Sequence, residues 1–333
     1  MTKHKAQCIA CGSCMEMFIE KIWDDRYGFP GVFSIMRCVS CDLMITMPRL
    51  TEADLPSLYS RYYPRRNIDF DALEREAARV KAPMAAWWRW LAGTDNQGHY
   101  LAKAGYRVLD IGSGSCLSLL EMRNMGVEAF GVEADPNVRT IAERYGLRVH
   151  IGSIHDTPFP GQVYDLITLN QVIEHVPEPQ ALLEIVRERL AVDGRIVLSF
   201  PNALSWQRRL SRNRWINWHV PYHQHHFNRR SFEILAGKTG YIVEDVRSIT
   251  PNLWTVLQLR ALPPPPAEGS ASKAWAGAQP SNKLSYALRV RNRLLHFASL
   301  LAIALLVVVN RVVDKIGYGD SLLVVLKKTD NLA

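Results

Sequence analysis

The sequence predicts an α/β fold built on a mostly parallel sheet with helices on both faces. Three observations predict it. Between Arg107 and Pro201, short apolar runs alternate with amphipathic ones; a glycine-rich turn, "GSGS" at 112–115, follows the first run; and an acidic residue, Glu133, closes the second. Strands that read as continuous Val, Ile and Leu are buried on both faces, and the helix-period segments between them supply the cover.

The elements follow in order. Residues 1–48 carry five of the six cysteines and form a module of their own. Residues 49–105, with "EREAARVKAPMAAWWRWL", read as a helical cap leading into the core. The core occupies 106–260. There "RVLDIG" is a strand, "SCLSLLEMRNMG" a helix, "AFGVEA" a strand and "PNVRTIAERYG" a helix. "RVHIG" and "YDLITL" are strands, "PQALLEIVRERLAVDG" is a helix and "RIVLSFP" a strand. An aromatic and basic insertion, "SWQRRLSRNRWINWHVPYHQHHF", comes next, then the helix "RRSFEILAGKTG" and the strand "YIVEDVRSIT". Residues 261–283, rich in Pro, Ala, Ser and Gly, predict a flexible linker. A hydrophobic helical insertion over 284–317 precedes "DSLLVVLKK", the remaining apolar run that fits a final strand, at 318–328.

Composition sets outer limits. A 48% hydrophobic content supplies a full core and excludes global disorder. The formal charge of +8 admits an acidic partner such as a phosphorylated substrate, anionic lipid or nucleic acid. "MTKHKAQCIACGSC" has no apolar core behind its basic residues, and the cysteines have metal-like rather than disulfide spacing, so a reducing cytoplasm is expected.

Gly112 and Gly114 lie in the turn from the first strand to its helix, where glycine lets the backbone approach a ligand and the helix start aims N–H groups at it. Glu133 ends the next strand, where a carboxylate accepts ribose hydroxyls. A dinucleotide site would place a third glycine where Leu117 stands. A looser G-x-G preceded by Asp110 suits S-adenosylmethionine, which has a ribose and no phosphates.

On these residues the chain resembles class I S-adenosylmethionine-dependent methyltransferases over roughly 105–250, with the match to that fold extending to 328. "LNQVIEHVPEP" resembles the family's segment after its fourth strand, and "DGRIVLSFPN" its fifth strand with the preceding turn. The resemblance implies a Rossmann-like seven-stranded sheet whose last strand is antiparallel. It also implies cofactor contacts at Asp110, Gly112, Gly114, Glu133, Ser153, Ile154 and Asn170. Ser153 stands where relatives often carry an Asp for the adenine amino group, which leaves adenine to the Ile154 backbone, His155 or Asp156.

Cys8-x-x-Cys11 and Cys38-x-x-Cys41 are two knuckles that could close a tetrahedral zinc site, with Cys14 offering an alternative to the first pair. "CIACGS" favours Cys8 and Cys11. Four thiolates leave no open position, so the metal is expected to be structural. The module resembles the zinc ribbon that precedes some bacterial glycan and sugar methyltransferases.

Methyl transfer to a hydroxyl needs an aligned acceptor and a base. Candidates are Glu174-His175 after the fourth core strand, and Tyr222, His223, His225 and His226 in the insertion. "PYHQHHF" resembles an element of zinc-ribbon sugar methyltransferases whose Tyr and second His sit at the acceptor; Tyr222 and His225 match them, though Gln224 departs from the usual Glu. The catalytic set is therefore His175, Tyr222 and His225. Glu174-His175 with His223 or His225 also resembles the sites of metal-assisted methyltransferases, and His175 could instead cap the following helix. Trp206, Trp215 and Trp218 could stack on an acceptor or pack a lid.

Two other classes stay open. "QRRLSRNRWINW" interleaves arginine with tryptophan as a single-strand-binding surface does, which would suit an RNA methyltransferase. Against it, "NQVIEH" stands where base-amino methyltransferases carry Asn/Asp-Pro-Pro-Tyr/Phe. A zinc-stabilised, non-enzymatic scaffold is the other. The greasy stretch 294–309, about 16 residues long, is short of the roughly 20 that span a bilayer and is flanked by arginines. It is expected to lie on an anionic membrane surface, a core or a dimer partner. The expected whole is a cytoplasmic enzyme, peripheral to the membrane, whose acceptor is a glycan, nucleotide-sugar, lipid-linked or quinone-like molecule.

Overall fold

The computed structural model describes residues 7–51, 54, 58, 69–272 and 304–329. Its main sheet is made of β4 (Arg107–Ile111), β5 (Glu128–Glu133), β6 (Arg148–Ile151), β7 (Tyr164–Asn170), β8 (Leu190–Pro201), β10 (Tyr241–Ile249) and β11 (Ser321–Lys328). The spatial order is β10-β11-β8-β7-β4-β5-β6. β11 runs antiparallel to both neighbours, while β6, β5, β4, β7 and β8 are mutually parallel. This is the seven-stranded arrangement that the resemblance implied, with "DSLLVVLKK" in the place expected for it. Leu322 to Leu326 are all buried, because the strand is flanked on both edges and covered on both faces.

The covering helices are α1 (Phe70–Ala78), α2 (Ala85–Ala92), α3 (Leu117–Asn124), α4 (Arg139–Tyr145), α5 (Pro179–Glu188), α6 (Trp206–Ser211), α7 (Arg229–Lys238), α8 (Asn252–Ala261) and a helix over 304–315, here α9. α5 is shorter than its apolar period predicts. It stops at Glu188, and "LAVDG" joins β8 instead, opposite an irregularity where Tyr164 pairs Leu190 and Leu166 pairs Arg195. Leu190 is buried either way, so periodicity does not separate the two states; the ladder to β7 does.

The cysteine module folds as an antiparallel sheet of β1 (Met15–Ile22), β2 (Phe33–Cys38) and β3 (Met44–Met47). A fourth strand, β9 (His225–His226), comes from the insertion after β8 and pairs with β3. The module and the insertion therefore share one sheet and one apolar core: Ile19, Phe33, Ile35 and Met44 pack with Ala203, Trp215, Trp218 and Val220. Trp215 and Trp218 are each 2% exposed, which makes them lid packing rather than an open stacking surface. Two of the insertion's arginines are also spent inward. Arg208 donates to the Ala203 carbonyl at 2.7 Å, and Arg214 donates to Asp25 at 3.0 Å and to the Pro263 carbonyl at 2.6 Å.

The expected flexible linker is held at its start, where Trp23 donates to the Pro266 carbonyl at 3.1 Å and the Ser272 N–H to that of Arg26 at 3.3 Å. Residues 273–303, with the rest of the linker and most of the greasy stretch, lie outside the described residues. α9 is tied to α8 through Asn310, fully buried, whose amide donates to Asn252 at 3.0 Å and Thr255 at 2.9 Å. Arg311 of α9 donates to the Trp90 carbonyl of α2, and Asn252 of α8 to that of Leu91 at 2.8 Å. No helix among the described residues is long and apolar enough to cross a membrane.

Candidate functional site

The cofactor candidates fall at the carboxyl ends of four adjacent parallel strands, the edge at which such sheets bind ligands. Gly112 has φ +74°, and a Cβ there would lie 2.4 Å from Val172 Cγ2, so only glycine lets the loops after β4 and β7 meet. Gly114, at φ +52°, has nothing within 4 Å of its Cβ position and faces open space. Its N–H donates to Glu133 Oε2 at 2.7 Å, and the Asp135 N–H to Oε1 at 2.9 Å. The Glu133 carboxylate is thereby fixed against the glycine turn.

Asp110 lies beneath the turn rather than in it. It is 2% exposed and accepts from Thr168 at 2.5 Å and from Ser118, which ties β4 to β7 and α3. Burial raises its pKa, and those two hydroxyls partly offset the rise. Ser153 caps the turn 154–156, in which Ile154 is buried and Asp156 accepts from the Ser153 N–H at 2.7 Å and bonds the His150 ring at 2.9 Å. Asn170 Oδ1 accepts the Gly98 N–H at 2.7 Å.

A second cluster stands beside this cradle, on the loop that follows β7. The Glu174 carbonyl accepts two N–H groups, from Gln224 at 2.8 Å and His225 at 3.1 Å, and so clamps the insertion onto the loop. Glu174 is 1% exposed, and neither carboxylate oxygen has a hydrogen-bond partner. Burial pushes its pKa up to about 8. The His175 ring lies 4.6 Å from that of His223, and His219 stacks on Tyr222 at 4.6 Å. Tyr27, from the cysteine module, meets Tyr222 edge-on at 5.5 Å. His175 does not cap α5; its Nδ1 bonds the Tyr222 carbonyl at 3.0 Å, and burial holds its pKa down at about 4.

His175 and Tyr222, two of the three residues expected in the catalytic set, thus lie together, with Glu174, His219 and His223 beside them. His225 stands apart on β9, stacked on Phe227 at 5.7 Å. His219 was missed in the sequence; its signal was the recurrence of histidine at 219, 223 and 226, one helical or turn period apart.

Cys8, Cys11, Cys38 and Cys41 each offer a sulfur within 4.8 Å of the others, with Cys8–Cys41 at 3.5 Å and Cys11–Cys38 at 3.3 Å. Cys14 is exposed and outside the group. Burial raises the Cys8 and Cys41 thiols, whereas Cys11, raised by burial but lowered more by hydrogen bonds from Ser13, falls to about 6; the four clustered sulfurs fit a cation that takes four thiolates.

Residues 60–246, just over half of the chain, match the family described as a methyltransferase domain. Among curated proteins, the mitochondrial ubiquinone biosynthesis O-methyltransferase of Schizosaccharomyces pombe is 29% identical over 105 residues, which cover 29% of this chain and 38% of that protein. The ubiquinone biosynthesis O-methyltransferase of Cereibacter sphaeroides is 34% identical over 104 residues, 29% of this chain and 42% of that one. The chain spans about two fifths of the length of these relatives. A solved SAM-dependent methyltransferase from Archaeoglobus fulgidus aligns over 78% of this chain and 100% of its own, at 18% identity and a TM-score of 0.41.

Glu133→Ala should weaken S-adenosylmethionine binding by about 10- to 100-fold in a calorimetric titration, since it removes a charged acceptor; an unchanged affinity would take Glu133 out of the cofactor site. His226 gives a pH test. Burial lowers its pKa from 6.5 to about 3, so its neutral form contributes fully above 6.5 and that contribution is lost as pH falls. The loss is about 1.4 kcal/mol per pH unit below 6.5. His226→Gln should therefore remove about 2 kcal/mol of the stability lost between pH 7 and 5, read by urea unfolding at both pH values.

Proposed function

The chain belongs to the methyltransferase-domain family, and from that premise we propose that it methylates a hydroxyl of a lipid-linked acceptor. The observation that carries this reading is the juxtaposition at one sheet edge of the Gly112–Glu133 cradle and the buried His175–Tyr222 cluster, joined by the Gly112–Val172 contact. Bound S-adenosylmethionine supplies an electrophilic methyl on a sulfonium. Glu133 holds the ribose, and the glycine turn admits the cofactor close to the backbone. The loop after β7 and the insertion above it wall the acceptor and exclude water. Tyr222 orients its hydroxyl for in-line attack, and His175 receives the proton as the oxygen takes the methyl and the sulfonium sulfur keeps the bonding pair. His225 positions the wall from β9.

The four cysteines hold a structural zinc ion that fixes the module against the insertion. Cys38→Ser should lose that zinc, read by elemental mass spectrometry, and should loosen the Trp215–Trp218 pair, read by near-ultraviolet circular dichroism. A metal content unchanged by the substitution would remove the thiolate site.

The lipid character of the acceptor is supported by α2, α8 and α9, which are bonded together and carry large exposed apolar side chains. Leu305, Val308, Val312 and Ile316 recur at helical spacing on and just past α9, and Trp87, Trp88 and Trp90 lie on α2. Such a surface suits shallow insertion at a headgroup boundary on the cytoplasmic face of the membrane. A glycan carried on a lipid is the first reading of the acceptor. A phenolic ring with a lipid tail is the second, favoured by the names of the two O-methyltransferases to which the chain is similar.

Mass spectrometry of membrane lipids and surface glycans from cells lacking the protein should show one species lighter by a methyl group. A sugar identifies the first acceptor and a ring phenol the second; methyl loss confined to RNA would overturn both.

A further inference from the structure

The insertion after β8 is entered through Asn202 and left through Asn228, and both residues line a groove of about 860 Å³. The rest of its lining comes from the start of α7, the end of β10, the end of α9, Trp90 of α2 and Leu322 at the start of β11. It shares no residue with the glycine cradle or the histidine cluster. It lies close to both, however. β11 pairs with β8 and β8 with β7, so the start of β11 stands two strand spacings, about 10 Å, from the carboxyl end of β7. The Gln171 amide bridges that interval, donating to the Ser199 hydroxyl at 3.2 Å and to that of Ser321 at 3.3 Å.

Five of the lining side chains are cationic and three are acidic. Arg229 is paired with Glu233 at 2.7 Å, Arg311 with Asp314 at 2.9 Å, and Arg247 with Asp245 at 2.7 Å. Arg230 on α7 and Lys315 on α9 are left over. Among the described residues, neither side chain has a hydrogen bond or an ion pair. Burial pushes the pKa of Asp95, the third acid, above the ordinary carboxylate value, which weakens it as a counter-ion. Two cations on one groove favour an anion between them, and a phosphoryl group has the oxygens to accept from a guanidinium fork and an ammonium together. The groove also has an apolar end. Ile316 and Trp90 line it and belong as well to the exposed apolar surface of α9 and α2, so the groove runs into the face suited to a lipid tail.

We propose that this groove binds the phosphate or diphosphate that joins the acceptor's lipid tail to its glycan. The order of the regions matches the order of such a molecule: the tail on α9 and α2, the phosphoryl group against Arg230 and Lys315, and the sugar hydroxyl beside the histidine cluster. A short glycan bridges the two strand spacings between the last two. A lipid-tailed phenol has no anionic link and leaves both cations unmatched. Free phosphate offers the same oxygens without a tail, so Ile316 and Trp90 contribute nothing to holding it. The glycan end of this order rests on the proposed methyl transfer; the binding of the phosphoryl group does not.

The test needs no acceptor turnover. The full chain is titrated calorimetrically, without added divalent cation, with geranyl diphosphate, geraniol and inorganic pyrophosphate. Geranyl diphosphate should bind most tightly. Arg230→Gln and Lys315→Gln should each weaken both anions about 10-fold, as the loss of one charge-assisted hydrogen bond does, and leave geraniol unchanged. Ile316→Ser should weaken geranyl diphosphate and spare pyrophosphate, which separates a lipid-borne phosphoryl group from a free one. Titration with S-adenosylmethionine confirms that each variant keeps its fold. Geraniol bound as tightly as its diphosphate, or both cation variants with unchanged affinity for the anions, would overturn the proposal. So would pyrophosphate bound as tightly as geranyl diphosphate with Ile316→Ser altering neither. Cation-dependent binding of geranyl diphosphate by a chain that methylates no sugar would leave the groove standing and overturn the function. A chain that methylates a lipid-linked sugar while both cation variants bind the diphosphate unchanged would do the reverse.

Discussion

The peptide carbonyl of Glu174 holds the molecule's working parts together. It receives the N–H groups of Gln224 and His225, and the second of these begins the short strand that extends the cysteine module's sheet. One acceptor thus joins three pieces of chain that are remote in sequence: the loop after β7, the insertion after β8, and β3 of the module. The histidine cluster beside the glycine turn depends on this clamp. It sets His223 and Tyr222 over His175, and it turns the Glu174 side chain inward.

From this junction the role of the cysteine module follows. Among the described residues, the module reaches the site through Tyr27, whose ring meets Tyr222 and His219, and through Thr46, whose hydroxyl donates to the His223 carbonyl at 2.6 Å. Its β-sheet supplies the apolar floor on which Trp215 and Trp218 pack, so the insertion is ordered by burial from below. A loop of that length with no such floor would have to order itself from its own contacts alone.

What could be read from the amino-acid sequence was what neighbours in the chain decide. The glycine turn and Glu133 were legible because a tight turn and a strand end are local, and the final strand because an apolar octet has few other places in a sheet of this kind. The end of α5 was not legible: Leu190 satisfies a helix face and a strand interior alike, and only its pairing with Tyr164 chooses. The histidine cluster was half legible. Every member but His219 could be named, but their meeting depends on a two-residue strand with no pattern of its own, in which His225 and His226 point to opposite faces as successive strand residues do. Asp110 was legible as the acid that precedes the glycine turn, whereas its partners Ser118 and Thr168, which lie on other elements, were not.

The position of β11 also bears on how the sheet comes to exist. β8 and β10 never touch as strands; the gap between them is filled by residues 321–328, reached 72 residues after β10 ends. Until that strand arrives, two long strands have open edges and an apolar slot lies between them. During synthesis the amino-terminal elements can pair as they emerge, but the sheet cannot close from that side alone. A chain interrupted anywhere between the two strands would keep a complete glycine turn and still be recognisable to proteases as unfinished. The order of the strands in space thus makes β8 and β10 depend on a piece of chain made well after both.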